Sequence, residues 1–470
     1  MDLEKGRKKV IVNTALMFVG QFASKVLVFF FVPFYTSVLS TAEYGISDLL
    51  ITTSNLVYPF FTLMISTAIL RFCLDKKEDP SKIFSVGFWI DLFGFVILTI
   101  AAILVFPRFM SKEYIPFFMF YYLADAINAL LLNYLRGLNN VKMYSLAGVI
   151  NTALLIIFNL LFLLYFKFGV KGYLLALILS TGSVDLIICY KAKIWKKIYM
   201  PWKIEKTLFK SMFNYCLPLI PNQMSWWISN SSDRYVMRYF RSPGELGIYS
   251  VSYKIPTIMT SIGGIFTGAW EISAVEDFGT EKNRKFFSEM YNNYLHLLVI
   301  LCTIILIFLK PLALLLFKKG FYGAWQYVPV LLYATLFNCM CGFVGSIFTA
   351  ARKTNSIFVT TVLGALTNIV LNFLLIPSYG AQGAAIATAF SYFVTFISRL
   401  FLSRKIISLS INYIKDVIVL GALFLAVICS CINELWCFII CGAVIIFEIK
   451  YIFRICKFLW KYIMHKINKE

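Results

Sequence analysis

Gln223, Trp227, Asn230, Arg234 and Arg238 lie four, three, four and four residues apart, the spacing that keeps side chains on one face of a helix. They stand in and around the run SWWISNSSDRYVMRYFRS, Ser225 to Ser242, which has apolar sequence on both sides. Asp233 flanks the face. A companion stripe, Ser250, Lys254, Thr257, Ser261 and Gly264, runs along the next apolar segment. A third, Asn13, Met17, Gln21 and Lys25, climbs the first one. This set contains no nucleophile with a base. Guanidinium and ammonium groups in apolar surroundings are anion binders, the first as a two-pronged donor and the second as a point charge.

Depth supports that reading. Arg234 is six residues from Phe240 and Lys254 six from Ile248, so both lie roughly 9 Å below the same edge at 1.5 Å per residue. Lys25 falls near the middle of its segment, where a lysine costs about 2.5–3.5 kcal/mol unless it faces a bundle interior or water. Arg238 is close enough to the edge to serve as an interfacial anchor. Asp233 points about 100° away from Arg234, so their pairing is expected to be partial, and one acid cannot neutralise several bases. The surplus positive charge predicts a wet central cavity for an anion, and at this depth that anion is a phosphate-bearing amphiphile. Substrate-binding candidates are therefore Lys25, Arg234, Lys254, Arg238, Gln21, Gln223 and Asn230. Trp226, Trp227, Tyr235, Tyr249 and Tyr253 could stack on sugar rings, although each alone also fits a membrane-interface aromatic.

Embedded acids are a second candidate group. Asp91 and Asp125 lie about two turns inside their segments and suit ion coupling. Asp48 and Glu271 are near segment ends and read as solvated, and Asp185 and Glu448 complete the set. His296, on an apolar stretch, reads as a packed, hydrogen-bonded histidine. The eleven cysteines fall almost entirely in apolar runs without zinc-type spacing, so they read as free thiols. No metal, cofactor or catalytic residue is expected.

The elements carrying these residues are membrane helices. Of 470 residues 60% are hydrophobic, 17% aromatic and only 14% charged, too little polar surface for a soluble chain of this length. Blocks such as LLIIFNLLFLLYF and LHLLVILCTIILIFL are bilayer-length cores, and their continuity excludes the alternation of a β-barrel. The expected fold is all-α and polytopic, with about fourteen spans near 11–39, 46–72, 83–106, 115–136, 144–166, 172–190, 211–240, 248–273, 286–310, 327–351, 356–377, 383–402, 416–432 and 435–453. Pro218 and Pro221 should break or kink the seventh. The first span, with its basic start, is too long for a signal-peptide core and reads as uncleaved.

The net charge of +21 is not a nucleic-acid signature, because the basic residues cluster in alternate connecting segments. Thirty-one lie on one side and eight on the other, which places both termini in the cytoplasm. Lys25, Arg234, Arg238, Lys254 and Arg399 fall inside spans. No connecting segment is long enough to hold a soluble catalytic domain, so an enzyme is not expected.

Two short echoes relate the halves. Glu43, Gly45 and Ile46 match Glu245, Gly247 and Ile248, and the Gly-x-x-Gly turn of KFGVKGYLLAL (167–177) matches that of SYGAQGAAIAT (378–388). They imply a duplicated six-helix unit in parallel orientation. The expected division is an N-terminal lobe at 1–190, a basic linker at 191–210 lying on the inner membrane face, a C-terminal lobe at 211–402, and two further spans with a basic tail at 403–470.

The chain resembles the multidrug/oligosaccharidyl-lipid/polysaccharide exporter superfamily, and within it the Wzx-type polysaccharide repeat-unit flippases. The resemblance rests on PFYTSVLSTAEYGISDLL, STAILRF, YLRGLNNVKMYS, YCLPLIPN, SDRYVMRYFRSPGELGIYSVSYKIP and YGAQGAAIAT, in that order along essentially the whole chain. It implies alternating access between two lobes and transfer of an undecaprenyl-diphosphate-linked oligosaccharide from the inner to the outer leaflet of the cytoplasmic (inner) membrane, for O-antigen or other lipopolysaccharide, capsule or exopolysaccharide biosynthesis. The implied partners are that glycan, membrane lipids and a polysaccharide polymerase complex, with no nucleic acid. The alternatives are a cation-coupled multidrug exporter, for which embedded acids should dominate, and a peptidoglycan-precursor flippase. A membrane glycosyltransferase or polymerase would need a large outer loop or soluble domain with catalytic carboxylates.

Overall fold

The computed structural model describes residues 29–75, 77–108, 111–276, 283–351 and 353–467. The described residues form helices joined by short turns, with no strand among them. The chain divides into two compact units, Met1–Trp227 and Ile228–Glu470.

In the first unit, α1 (Val32–Val38) and α2 (Thr41–Phe61) meet at Ser40. The Ser40 hydroxyl accepts the Glu43 N–H at 3.2 Å while the Glu43 carboxylate accepts the Ser40 N–H at 2.8 Å, a reciprocal cap that fixes the helix start. Pro59 lacks the N–H of a helix interior, and Leu63 and Met64 take left-handed φ values of 51° and 56°. The chain resumes as α3 (Ile65–Asp75), bent 55° from α2. The span expected over 46–72 is thus a broken one.

Next come α4 (Pro80–Val105), α5 (Ile115–Gly137), α6 (Val141–Asn159, continued in wider π turns to Tyr165), α7 (Gly169–Ala192) and α8 (Lys206–Cys216). Asp79 starts α4 by accepting the Ser81 N–H at 2.9 Å ahead of a first-turn proline, a favoured start. The apolar faces collect into two clusters. One, around Ile69, Phe84, Leu131 and Tyr134, takes in Ile194, Leu208 and Met212. The other surrounds Leu98, Phe118, Tyr122 and Leu174.

The segment 191–210 is stitched to α4. The Tyr199 N–H donates to Ser85 Oγ at 2.8 Å, Trp89 Nε1 donates to the Tyr199 carbonyl at 2.8 Å, and Lys82 Nζ meets Glu205 at 2.6 Å. The break expected near Pro218 is present: α8 ends at Cys216 and α9 (Leu219–Phe240) begins beyond it, with Pro221 in its first turn.

The second unit takes the rest of α9, α10 (Pro243–Ser252), α11 (Pro256–Glu276), α12 (Asn283–Ile307), α13 (Leu309–Leu316), α14 (Val328–Ala350), α15 (Thr354–Ser403), α16 (Tyr413–Ile432) and α17 (Glu434–Ile467). The 50-residue α15 is bent at Gly380, whose φ of 54° and ψ of −134° are not helical. The single span expected over 248–273 is interrupted at Tyr253–Ile255, where Pro256 restarts the helix.

The two sequence echoes have a physical counterpart in each unit. Gly169 has a φ of 55°, and a Cβ there would collide with Oε1 of Glu43. A Cβ at Gly380 would likewise collide with Oε1 of Glu245, which accepts the Ala381 N–H at 2.9 Å. In each unit a glutamate from one helix start presses on a left-handed glycine at another, a conformation that L side chains adopt only with strain.

Eight helices among the described residues are long and apolar enough to cross a bilayer, and the bent α2–α3 pair makes a ninth. One of the eight is Asn355–Ser403, which contains both spans expected over 356–377 and 383–402. The polar α9 does not qualify on composition. The first expected span begins outside the described residues.

Candidate substrate site

The centre of the charged face on α9 is Asp233. Its side chain is buried and accepts the Tyr249 hydroxyl at 2.5 Å and the Tyr253 hydroxyl at 3.2 Å, both on the neighbouring helix segment. Arg234 Nη1 lies 3.2 Å from Asp233 Oδ1 and donates to the Asn230 carbonyl at 2.9 Å. The guanidinium also sits 5.0 Å over the Tyr253 ring, a cation–π position. Arg234 keeps 11% of its side chain exposed against 3% for Asp233, so the cation is the accessible end of the pair.

The partial pairing expected from helix geometry is therefore replaced by a formed contact. Sequence neighbours point apart, but a long guanidinium arm can fold back over one turn of its own helix. Asp233, read from the sequence as a flanking residue, is the hub on which two tyrosines and Arg234 converge.

Asn230 and Ser232 extend the network to α15. The Tyr392 hydroxyl donates to Asn230 Oδ1. Ser232 Oγ donates to Asn368 Oδ1 at 2.8 Å, and Asn372 Nδ2 donates to the same oxygen at 2.9 Å. Buried polar groups joined in this way fix the register between helices. Asn372 Oδ1 is buried without a hydrogen-bond partner.

Lys254 lies in the three-residue interruption between α10 and α11, half-buried and next to Tyr253. Among the described residues it has no acid within ion-pair distance. Arg234 is thus paired and sits over Tyr253, and Lys254, the next residue in the chain, has no such acid. Arg238 and Gln223 are exposed. Lys25 and Gln21 lie outside the described residues.

In the first unit, Asp91 is buried and neither carboxylate oxygen has a hydrogen-bond partner; the Tyr122 hydroxyl is in the same condition. Asp91 and Asp125 lie within electrostatic reach of Tyr58 and Tyr122. Asp185 accepts Asn128 Nδ2 at 2.7 Å. Among the described residues no three His, Cys, Asp or Glu side chains form a metal-type cluster.

A family model described as polysaccharide biosynthesis protein matches residues 10–270, and the MatE model matches residues 218–374. The chain belongs to the polysaccharide biosynthesis protein family. It is 26% identical over 271 residues to the capsular polysaccharide biosynthesis protein CapF of Staphylococcus aureus, covering 55% of this chain and 66% of that one. It is 24% identical over 299 residues to an uncharacterized membrane protein of Methanocaldococcus jannaschii, covering 62% of this chain and 59% of that protein. The chain thus spans about three-fifths of that relative's length.

Among solved structures, the lipid II flippase MurJ in its inward closed conformation superposes with a TM-score of 0.67 at 16% identity, over 93% of this chain and all of that one. An inward-facing multidrug resistance MATE family transporter of the MOP superfamily gives 0.64 at 15% identity, over 85% and 95%. These likenesses establish the fold, a polytopic all-α membrane protein with two lobes.

Within this family member, several site features escaped the sequence reading. The sequence reading gives Tyr249 and Tyr253 only their ring faces, and the hydrogen bonds of their hydroxyls to Asp233 are the part it lacks. Their spacing of four on one face was the available signal. The interruption beside Lys254 was announced by Pro256. Arg399 needed an explanation: it is buried and donates to Thr360, Thr361 and the Cys341 carbonyl at 3.2, 2.8 and 2.7 Å, which ties α15 to itself and to α14. His296 is packed as expected, stacked 3.8 Å from the Tyr451 ring and hydrogen-bonded to Glu448 at 2.9 Å.

Proposed function

We infer that this protein is a flippase that carries an undecaprenyl-diphosphate-linked oligosaccharide from the inner to the outer leaflet of the cytoplasmic membrane for surface polysaccharide assembly. The observation that carries the reading is Lys254, an ammonium without an acidic partner among the described residues, held at a helix interruption and following Tyr253, over whose ring the Arg234 guanidinium sits. Membership in the polysaccharide biosynthesis family supports this cargo class.

The proposed mechanism follows from the charges. A diphosphate supplies the counter-charge that Lys254 lacks and competes with Asp233 for the accessible end of Arg234. Asp233 keeps the guanidinium in place when no cargo is present and limits how tightly the diphosphate is held, which favours release. The lipid tail remains in the bilayer while the glycan travels through the wet site. Lys25, on its own polar stripe, is the third proposed phosphate contact. Asp91 and Asp125 are the proposed ion-coupling residues: Asp91 is buried with neither carboxylate oxygen hydrogen-bonded, a state that favours taking up a proton or a cation, and Asp125 lies on the neighbouring α5. Both termini are proposed to be cytoplasmic.

Reconstituted proteoliposomes holding a fluorescent undecaprenyl-diphosphate sugar in one leaflet test this reading. Wild-type protein should render the label accessible to an outside quencher. Arg234→Ala and Lys254→Ala should abolish transfer while the protein remains folded and inserted. Normal transfer by both variants would reduce these residues to interface anchors and remove the proposed site.

A further inference from the structure

A cavity of about 530 Å³ lies beside α4 in the first unit, and none of its lining residues belongs to the Asp233 network. One wall is a stripe along α4, Val86, Trp89, Phe93 and Ile97, whose spacings of three, four and four keep them on one face. The stripe runs for roughly 16 Å at 1.5 Å per residue. The facing wall is the end of α2 and its break, with Phe60 and Leu63. There α2 and α4 nearly touch, since a Cβ on Gly94 would collide with the Phe61 carbonyl. The segment stitched to α4 closes one end with Pro201 and Ile204, and the bond from Trp89 to the Tyr199 carbonyl holds that closure in place.

Lys206 is the one ionisable side chain in the lining. Its neighbour Glu205 is engaged by Lys82, and among the described residues Lys206 has no acid within ion-pair distance. The surrounding segment 191–210 holds seven lysines against one glutamate. The result is a long apolar trough with a single cation at its mouth.

We propose that this trough binds one acyl chain of an anionic phospholipid, with the headgroup phosphate on Lys206. The apolar lining matches a hydrocarbon chain, and the lysine matches an anionic rather than a zwitterionic head. Length separates this occupant from the cargo's own tail. The apolar stripe of roughly 16 Å is on the scale of one phospholipid acyl chain and far shorter than an undecaprenyl chain. The trough shares no residue with the proposed diphosphate contacts and does not depend on them.

The test uses full-length protein in nanodiscs of phosphatidylglycerol or phosphatidylcholine, each doped with the same headgroup carrying a photoreactive acyl chain. Labelled peptides are mapped by mass spectrometry. Phosphatidylglycerol should label the α4 and 201–209 peptides several-fold more than phosphatidylcholine. Lys206→Glu, a change at an exposed position, should remove that preference, and Ile97→Trp should cut labelling by both lipids. Equal labelling by the two lipids, or a preference unchanged in Lys206→Glu, would overturn the proposal. So would absent labelling, which would mean that the trough is filled by protein. Displacement of the label by equimolar undecaprenyl phosphate would assign the trough to the carrier tail and overturn it as well.

Discussion

Tyr249 donates its hydroxyl to Asp233 across 2.5 Å with both side chains buried. The bond joins the C-terminal part of α9 to α10 just before the interruption that holds Lys254. Tyr249→Phe leaves the carboxylate short of a donor in a buried place and should cost about 1.5–3 kcal/mol, the range for hydrogen bonds to charged groups. Tyr253→Phe, whose bond to Asp233 is 3.2 Å long, should cost less. Thermal unfolding of the purified variants ranks the two, and the opposite order would show that Asp233 does not depend on Tyr249.

Asp233 and Arg234 should behave as a coupled pair. Asp233→Asn and Arg234→Gln each leave one charge without its partner, and the double variant removes both. A double-mutant cycle on melting temperature should show an interaction of about 1 kcal/mol or more. Additive single effects would mean that the contact at 3.2 Å contributes nothing measurable.

Charge-retaining changes should separate binding from shape in transport. Arg234→Lys keeps the cation but loses the planar fork, and Lys254→Arg keeps charge with a larger head. Both should retain a fraction of transfer in the proteoliposome assay, whereas the alanine variants lose it.

Gly169→Ala and Gly380→Ala should each destabilise the fold by about 1–3 kcal/mol, because the left-handed backbone disfavours a Cβ. The glutamate facing each glycine adds a steric penalty. Glu245→Ala should partly relieve Gly380→Ala, and Glu43→Ala should partly relieve Gly169→Ala. Melting of the single and double variants would show whether the same device operates in both units.

His296 and Glu448 form a buried pair with both carboxylate oxygens 2.9 Å from the imidazole. Glu448→Ala should cost about 1–3 kcal/mol, since it strips a buried polar group of its partner. A His296→Leu/Glu448→Leu double variant should recover most of that loss. If the double variant is no more stable than Glu448→Ala, packing against Tyr451 rather than pairing holds this region together.

The bundle was legible because bilayer-length apolar runs admit few other structures. The polar stripe on α9 was legible because helical spacing brings Asn230, Arg234 and Arg238 to one face whatever surrounds them. The partners of that face were not. Tyr392 reaches it at Asn230, and Asn368 reaches Ser232 elsewhere on α9, each from more than a hundred residues away, and a single sequence does not say which helices touch. The breaks at Leu63 and Tyr253 were missed for a different reason: hydrophobicity runs straight through them, and the prolines at 59 and 256 were weaker signals than the apolar runs around them. The Glu-x-Gly-Ile and Gly-x-x-Gly echoes were visible as pattern. Their meaning required seeing each glutamate against its glycine.

The bonds from Ser85, Trp89 and Lys82 give the stretch after Ala192 a role that a leash would not have. A leash can be exchanged for any flexible sequence of sufficient reach, whereas this stretch contributes Ile194, Leu208 and Met212 to a core. A gene split to express the protein as two co-assembling pieces would therefore have to leave the whole of 191–216 with the first piece. A cleavage tag or fluorescent insertion placed there would injure the half it was meant to leave untouched.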